Sequence, residues 1–393
     1  MGKVLVLDAG QRSALAIIRS LGNHGLQIIA GDRASNSLGA ASRYAAGSIV
    51  YPDPATAPGL FVRAIIAAVG RLGIDTIIPA TDLTTMLLLR QEALSLAARL
   101  VAPHAISYDA LTDKSRLLEL ACKLGIQVPA TRIAHNAAGV VEAAHAIGFP
   151  VVLKPARSRY LDGNRIVSTS VEIVTETDRL SAALDRSPWL NDIPCLVQEF
   201  IPGHGAGVFA LYAASQPIAW FAHRRIREKP PSGGVSVLSE SVPIHPEMQS
   251  AAAKLLSAAQ WNGVAMVEFR VGLDGTPYLM EVNGRFWGSL QLAIDCGVDF
   301  PWLLYRLSRD LPVDTLPPYT VGRRLRWLLG DLDRLLIELR HGRPELGHKV
   351  RAVSAFLRAF TDPLSRTEML RLSDPWPGLR EISQWFKGSG TRR

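Results

Sequence analysis

The chain opens on a short apolar run, K-V-L-V-L-D, ending at Asp8. An apolar-periodic stretch A-L-A-I-I-R-S-L-G and a second run L-Q-I-I-A-G-D, ending at Asp32, follow. That succession predicts strand, helix and strand of a parallel sheet. A further run, G-I-D-T-I-I-P-A-T-D, closes on Thr81-Asp82 at the carboxyl end of a predicted strand, where open α/β sheets bind ligands. Downstream, G-F-P-V-V-L-K-P-A predicts a buried strand ending at Lys154, and C-L-V-Q-E-F-I-P-G one stopped by a Pro-Gly break. The most informative stretch is Gly263–Arg285. Two β-forming runs flank Asp274-Gly275, a dipeptide suited to a two-residue type I′ turn. The register of that turn sets Glu268 opposite Glu281, with Asn283 on the same face.

Composition narrows the class. With 393 residues, 48% hydrophobic and 20% charged, the chain has the make-up of an ordinary α/β protein of two or three domains. No apolar run reaches membrane-spanning length and the N-terminus enters a strand directly, so neither signal peptide nor span is expected, and a cytoplasmic location is. Cys122, Cys195 and Cys296 lack metal or disulfide spacing and are expected to be small buried residues. Residues 311–393 carry 15 Lys and Arg against 9 Asp and Glu, which accounts for most of the net charge of +8. The nearly neutral body argues against general nucleic-acid binding.

The hairpin also carries the first candidate chemistry. Two carboxylates facing each other on an apolar sheet destabilise it unless a cation lies between them. Glu268, Glu281 and Asn283 offer Mg2+ (or Mn2+) the oxygen ligands it shares with phosphates and water. The plain alternative is a solvent-facing hairpin in a different register. Lys114, in the first turn of a helix capped by Thr112 or Asp113, opposes the helix dipole, which suits an external anion. Lys154 at a strand end suits a phosphate, and the polar loop R-S-R-Y-L-D-G-N-R after it is basic enough to close over a triphosphate. Gln198 and Glu199 end a strand whose free backbone groups could read an adenine edge between Phe200 and Ile201. The stretch A-H-R-R-I-R-E-K-P-P-S-G-G, with Arg225 and Lys229, reads as an anion-rich loop suited to substrate capture.

The order Lys114, Lys154-Pro155, Q-E-F-I-P-G, V-E-F and E-V-N-G-R from about Asp113 to Gly297 resembles the ATP-grasp superfamily, as in biotin carboxylase and the large chain of carbamoyl-phosphate synthetase. The resemblance implies a parallel α/β domain over residues 1–105 and a two-lobed ATP-grasp fold over 106–310, with the small lobe about 115–200 and the large lobe about 201–310. A basic helical extension, 311–393, completes the chain. It further implies that Lys114 and Lys154 hold ATP phosphates, that Gln198, Glu199, Phe200 and Ile201 lie at the adenine, and that Glu268, Glu281 and Asn283 bind one or two Mg2+ ions. Arg285, with Arg225 and Lys229, would stabilise charge on the transferred phosphoryl group and the substrate. The expected activity is a ligase that activates a carboxylate as an acyl phosphate for an amine or other nucleophile; a non-catalytic ATP-binding regulator or scaffold is the alternative. Two departures stand out. The loop after Lys154 is not glycine-rich, and no acidic residue for the ribose follows the hinge. The tail, read as amphipathic helix through Leu325, Leu328, Leu332 and Leu336, is expected to pack on the body or in a homodimer rather than on an anionic membrane.

Overall fold

A computed structural model describes residues 2–91, 97–162, 165–231, 233–341 and 345–388. Its first sheet is parallel, with strands β1 Lys3–Val6, β2 Gln27–Asp32, β3 Ala45–Val50, β4 Thr76–Ile78 and β5 Arg99–Leu100 in the order β3-β2-β1-β4-β5. The chain winds one way from β1 to β3 and then crosses to β4, so the switch point lies between β1 and β4. Asp8 and Thr81-Asp82 leave the sheet there. Asp8 takes φ +57°, and its carboxylate accepts from Thr84 Oγ1 at 2.6 Å and the Ala80 amide at 3.2 Å.

A second sheet is antiparallel. It contains β6 Thr131–Ala134, β7 Val151–Pro155, β10 Glu172–Val174 and β11 Cys195–Glu199, ordered β10-β7-β11-β6. Between β7 and β10 a separate hairpin pairs β8 Arg159–Asp162 with β9 Arg165–Ser168. The stretch expected to be a loop after Lys154 is therefore largely strand.

The third sheet has seven strands. In chain order these are β12 Gly203–Ala213, β13 Gln216–Lys229, β14 Val235–Ser241, β15 Gly263–Gly272, β16 Pro277–Asn283, β17 Arg324–Arg326 and β18 Ser365–Thr367. They are ordered β16-β15-β12-β13-β14-β17-β18. One face packs Val208, Ala210, Val267 and Phe269 against the helices Ala105–Thr112, Lys114–Lys123 and Pro246–Ala258. The other packs Phe209, Phe221 and Met266 against the helices Arg12–Asn23, Leu290–Asp295 and Phe300–Ser308. Arg225 and Lys229 lie on the long strand β13, not in a capture loop. The strand continues through the basic run with irregular pairing around Arg227, and its cations find carboxylate partners.

The tail departs from a purely helical reading. Leu325 is in β17, and the helix Leu328–His341 starts after it. Both β17 and β18 extend the large sheet. Arg326 is buried between the Phe356 and Phe360 rings, each 4.4 Å from its guanidinium, and donates to Asp331 at 2.7 Å. Arg227 of β13 meets the same Asp331 at 3.1 Å. Asp374 ties the tail to the first domain by accepting from Arg19 Nε at 2.9 Å, Ser42 Oγ at 2.7 Å and the Arg43 amide at 2.9 Å. Sequence periodicity misses these contacts because ion pairs between distant segments leave no periodic trace. Cys195 and Cys296 are buried as expected, but Cys122, on the outer side of its helix, is exposed. No helix among the described residues is long and apolar enough to cross a membrane.

Removing one partner of a buried pair strands the other charge. Asp374→Ala is therefore expected to lower unfolding free energy by about 3–5 kcal/mol, read by urea denaturation, and Arg19→Met with Asp374→Leu should recover part of it. An unchanged midpoint for Asp374→Ala would show the tail to be an independent appendage.

Candidate functional site

The β15–β16 hairpin supplies the centre of the site, though not by the predicted turn. Gly272 donates to Thr276 O at 2.9 Å, closing a three-residue loop 273–275 with Gly275 at φ +87°. Asp274 keeps negative φ and instead caps the loop, accepting from the Thr276 amide at 3.0 Å and hydroxyl at 2.8 Å. A three-residue loop shifts the register by one, pairing Phe269 with Leu279. A bulge then restores it, so Glu268 pairs with Glu281 as the two-residue turn would have placed them. Met280 is the extra residue. In a regular strand Leu279 and Glu281 would share a face; the bulge sends Leu279 into the core and leaves Glu281 facing Glu268.

The carboxylates are held by cations and an amide. Asn283 Nδ2 donates to Glu268 Oε1 at 3.0 Å and Glu281 Oε1 at 3.2 Å. Arg225 Nη2 donates to Glu268 Oε2 at 2.9 Å, and Lys114 Nζ lies 3.5 Å from Glu281 Oε2. Burial and the neighbouring Glu281 push Glu268 above the usual carboxylate range. Burial acts on Glu281 too, but Lys114, Asn283 and Lys154 outweigh it and hold that group low. Arg285 donates through Nη2 to Asn283 Oδ1 at 3.1 Å and through Nε to Asp82 Oδ2 at 2.8 Å. Asp82, in the first turn of a helix capped by Thr81, thus brings the switch point of the parallel sheet to the hairpin. Its sequence signal was its place after a strand; cap chemistry alone would not have singled it out.

Lys154 approaches from the smaller antiparallel sheet and Lys114 from the start of the helix Lys114–Lys123, which packs on the large sheet. Asp113 caps that helix by accepting from Ser115 and Arg116 amides, which leaves Lys114 buried in its first turn. Lys154 Nζ donates to Gln198 Oε1 at 2.6 Å and lies 3.5 Å from Met280 Sδ. A narrow slot between the two antiparallel sheets is lined by Lys114, Val128, Lys154, Gln198, Leu279 and Met280. It meets a cavity of about 360 Å³ whose wall includes Asp82, Lys114, Arg159, Glu281, Asn283 and Arg285.

Gln198 lines the slot. Glu199 is exposed, and its amide donates to Ala130 O; the Phe200 amide donates to Pro150 O, and Ile201 O accepts from Arg270 Nε at 3.0 Å. Those particular backbone groups are therefore already paired. Lys229 stands apart from the cavity: it donates to Asp333 Oδ2 at 2.7 Å and sits 5.1 Å from the Trp327 ring, in the contact with the tail. Further along the row of Glu281, Glu268 and Gly207 comes His223. It is bonded to Ser289 Oγ at 2.7 Å and pushed down to about 3 by burial and by Arg225, so it stays neutral.

The donor set fits a hard divalent cation of low protein coordination. Among the described residues no group of three or more His, Cys, Asp or Glu forms a metal cage. Two carboxylates beside two lysines instead match Mg2+ bound jointly with phosphate and water; Asn283 turns its Nδ2 to the carboxylates and its oxygen to Arg285, and would have to rotate its amide to add a third oxygen ligand.

Two sheets enclosing a slot, with the paired carboxylates on one and the strand-end lysine on the other, give the chain the ATP-grasp fold. Residues 192–330 match the sequence model of the family described as "ATP-grasp in the biosynthetic pathway with Ter operon". The carbamoyl phosphate synthase large chain of Pasteurella multocida is 26% identical over 193 residues, 47% of this chain but only 17% of that protein's length. An N5-carboxyaminoimidazole ribonucleotide synthetase in complex with ADP superposes with TM-score 0.63 at 16% identity, covering 91% of this chain and 96% of that one. The biotin carboxylase domain of Hydrogenobacter thermophilus 2-oxoglutarate carboxylase, a dimer with MgADP, ADP and bicarbonate, superposes with TM-score 0.64 at 17% identity. There 82% of this chain and 73% of the other are covered. At these identities the likeness of the solved structures is one of fold.

Lys154 offers a test of the electrostatics. Burial lowers it to about 8, so in the free protein its charge is lost as pH rises through that value. A bound phosphate favours the charged form. Binding of pyrophosphate above about pH 8 is therefore expected to take up a proton, as read by titration calorimetry in buffers of different ionisation enthalpy. Uptake should vanish in Lys154→Met; identical uptake in that variant would contradict the assignment.

Proposed function

We propose that the chain is an ATP- and Mg2+-dependent ligase that activates a carboxylate as an acyl phosphate, from which an amine or other nucleophile displaces phosphate. In this reading residues 1–105 form the domain that precedes the ATP-grasp unit of 106–310, and 311–393 brace its large sheet. The observation that carries the proposal is the convergence of Lys114, Lys154, Glu268, Glu281, Asn283 and Arg285 from three segments onto one slot and cavity. Nucleotide complexes of proteins with the same fold, with ADP in one and MgADP in the other, support it.

Each residue has a role its surroundings allow. The base would enter beside Gln198 as the slot, about 10 Å³ as it stands, widens between the sheets, with Lys154 and Lys114 neutralising the phosphate chain. Glu268, Glu281 and Asn283 would hold Mg2+, which when bound draws charge from the phosphate oxygens and lets the two acids share a face. Arg225 is the counter-charge of Glu268. A metal held there would take over that neutralisation, and the guanidinium would then be available to an anionic substrate. Arg285, its planar group fixed by Asp82 and Asn283, faces the same cavity and stabilises charge as the γ-phosphoryl group passes to the carboxylate oxygen. Phosphoryl transfer needs positioning and neutralisation, and no acyl-enzyme nucleophile is called for. The buried, neutral His223 fits this picture as a packing residue.

Screening carboxylates with paired amines is expected to yield ADP and phosphate for at least one pair, measured by coupled ADP release. Glu281→Gln and Arg285→Ala should each cut kcat/KM by about a hundredfold or more. AMP and pyrophosphate as products would overturn the acyl-phosphate route, and MgATP binding without turnover on the whole panel would favour a nucleotide-binding regulator.

A further inference from the structure

We propose that Arg159 holds the outermost phosphate of the bound nucleotide, doing with a side chain what a glycine-rich loop would do with backbone amides. The inference rests on the nucleotide reading above and deepens it: the sequence offered the whole basic run after Lys154 to a triphosphate, and the hairpin singles out one of its arginines and one phosphate.

Four cations line the large cavity, and three have partners. Lys114 meets Glu281 at 3.5 Å and donates to Ser158 Oγ at 3.1 Å, Arg157 pairs with Asp113 at 2.9 Å, and Arg285 pairs with Asp82 at 2.8 Å. Arg159 makes neither ion pair nor side-chain hydrogen bond among the described residues. An exposed arginine without a partner is ordinary on a free loop, but this one is on a strand secured at both ends. At the base, the Lys114 amide donates to Ala156 O at 2.9 Å, and Thr169 bonds the Ser158 carbonyl through its amide at 3.1 Å and the Arg157 carbonyl through its hydroxyl at 3.0 Å. Toward the tip, Ile166 of the paired strand donates to Ala55 O of the first domain at 2.9 Å. The hairpin is thus a strap between two parts of the protein, and it holds Arg159, paired with Ser168, at the cavity wall.

The order of cations indicates which phosphate. Lys154 lines only the slot, Lys114 lines both slot and cavity, and Arg159 lines only the cavity. A nucleotide with its base in the slot passes Lys154 and Lys114 first and reaches Arg159 last. A guanidinium bonds two oxygens of one phosphate at once, and a terminal phosphate presents the most oxygens and charge.

Titration calorimetry with MgADP and with the magnesium complex of the β,γ-imido analogue of ATP separates the possibilities. Wild type is expected to bind both. Arg159→Ala should bind MgADP as wild type does and the triphosphate about tenfold more weakly, with Arg159→Lys in between. Equal weakening for both nucleotides, or none for either, would overturn the assignment while leaving the nucleotide site standing. Failure of the folded wild type to bind either nucleotide would overturn the reading on which it rests.

Discussion

Two carboxylates on neighbouring strands, both half-buried, are the constraint around which this protein is built. Their repulsion and desolvation would unravel the β15–β16 pairing if nothing compensated them. In the structure the compensation is supplied from three directions: Arg225 from β13, Lys114 from a helix start, and the amide of Asn283 from the same strand. Each compensating group is anchored elsewhere. Lys114 is placed by the Asp113 cap, and Arg225 also pairs with Glu228 at 3.0 Å. Arg285, which steadies Asn283, is itself steadied by Asp82. The acid pair therefore imposes order on the parallel sheet, the small antiparallel sheet and the large one together. A metal ion with its phosphate ligands can replace that web of counter-charges with a single one, freeing arginine and lysine for substrate.

The tail contributes to the same architecture. Arg227 and Lys229 stand on the strand that carries Arg225, and both are neutralised by the helix Leu328–His341 through Asp331 and Asp333. Glu368 meets Arg12 at 2.6 Å, at the start of the first helix. Acids of the tail are thus spent on neutralising cations of the body. An exposed apolar stripe remains on the helix Leu346–Arg358, where Leu346, Val350 and Leu357 face outward.

Much of the fold was legible because it rests on local patterns. The βαβ start, the strand ending in Lys154 and the two apolar runs around Asp274-Gly275 all follow from periodicity of two or 3.6. The pairing of Glu268 with Glu281 was read from a two-residue turn, whereas the molecule reaches it through a three-residue turn and a compensating bulge at Met280. A bulge is a choice between core burial of Leu279 and register, and only three-dimensional packing decides it. The strand β8 was hidden for a different reason: its arginine and aspartate look like a loop, but pairing with β9 needs only backbone groups. The role expected of Lys229 illustrates the opposite failure. A lysine in a basic run looks available until a carboxylate a hundred residues away claims it.

The central claim is that Glu268 and Glu281, held on one face by Arg225, Lys114 and Asn283, are placed to take a nucleotide-bound metal between them. Electron paramagnetic resonance of Mn2+ titrated with ADP and protein measures that directly. The account predicts a bound, broadened Mn2+ signal that requires both ADP and protein and that disappears in a folded variant carrying Glu268→Gln and Glu281→Gln. A bound signal of equal strength in the double variant, or none with the folded wild type, would contradict it.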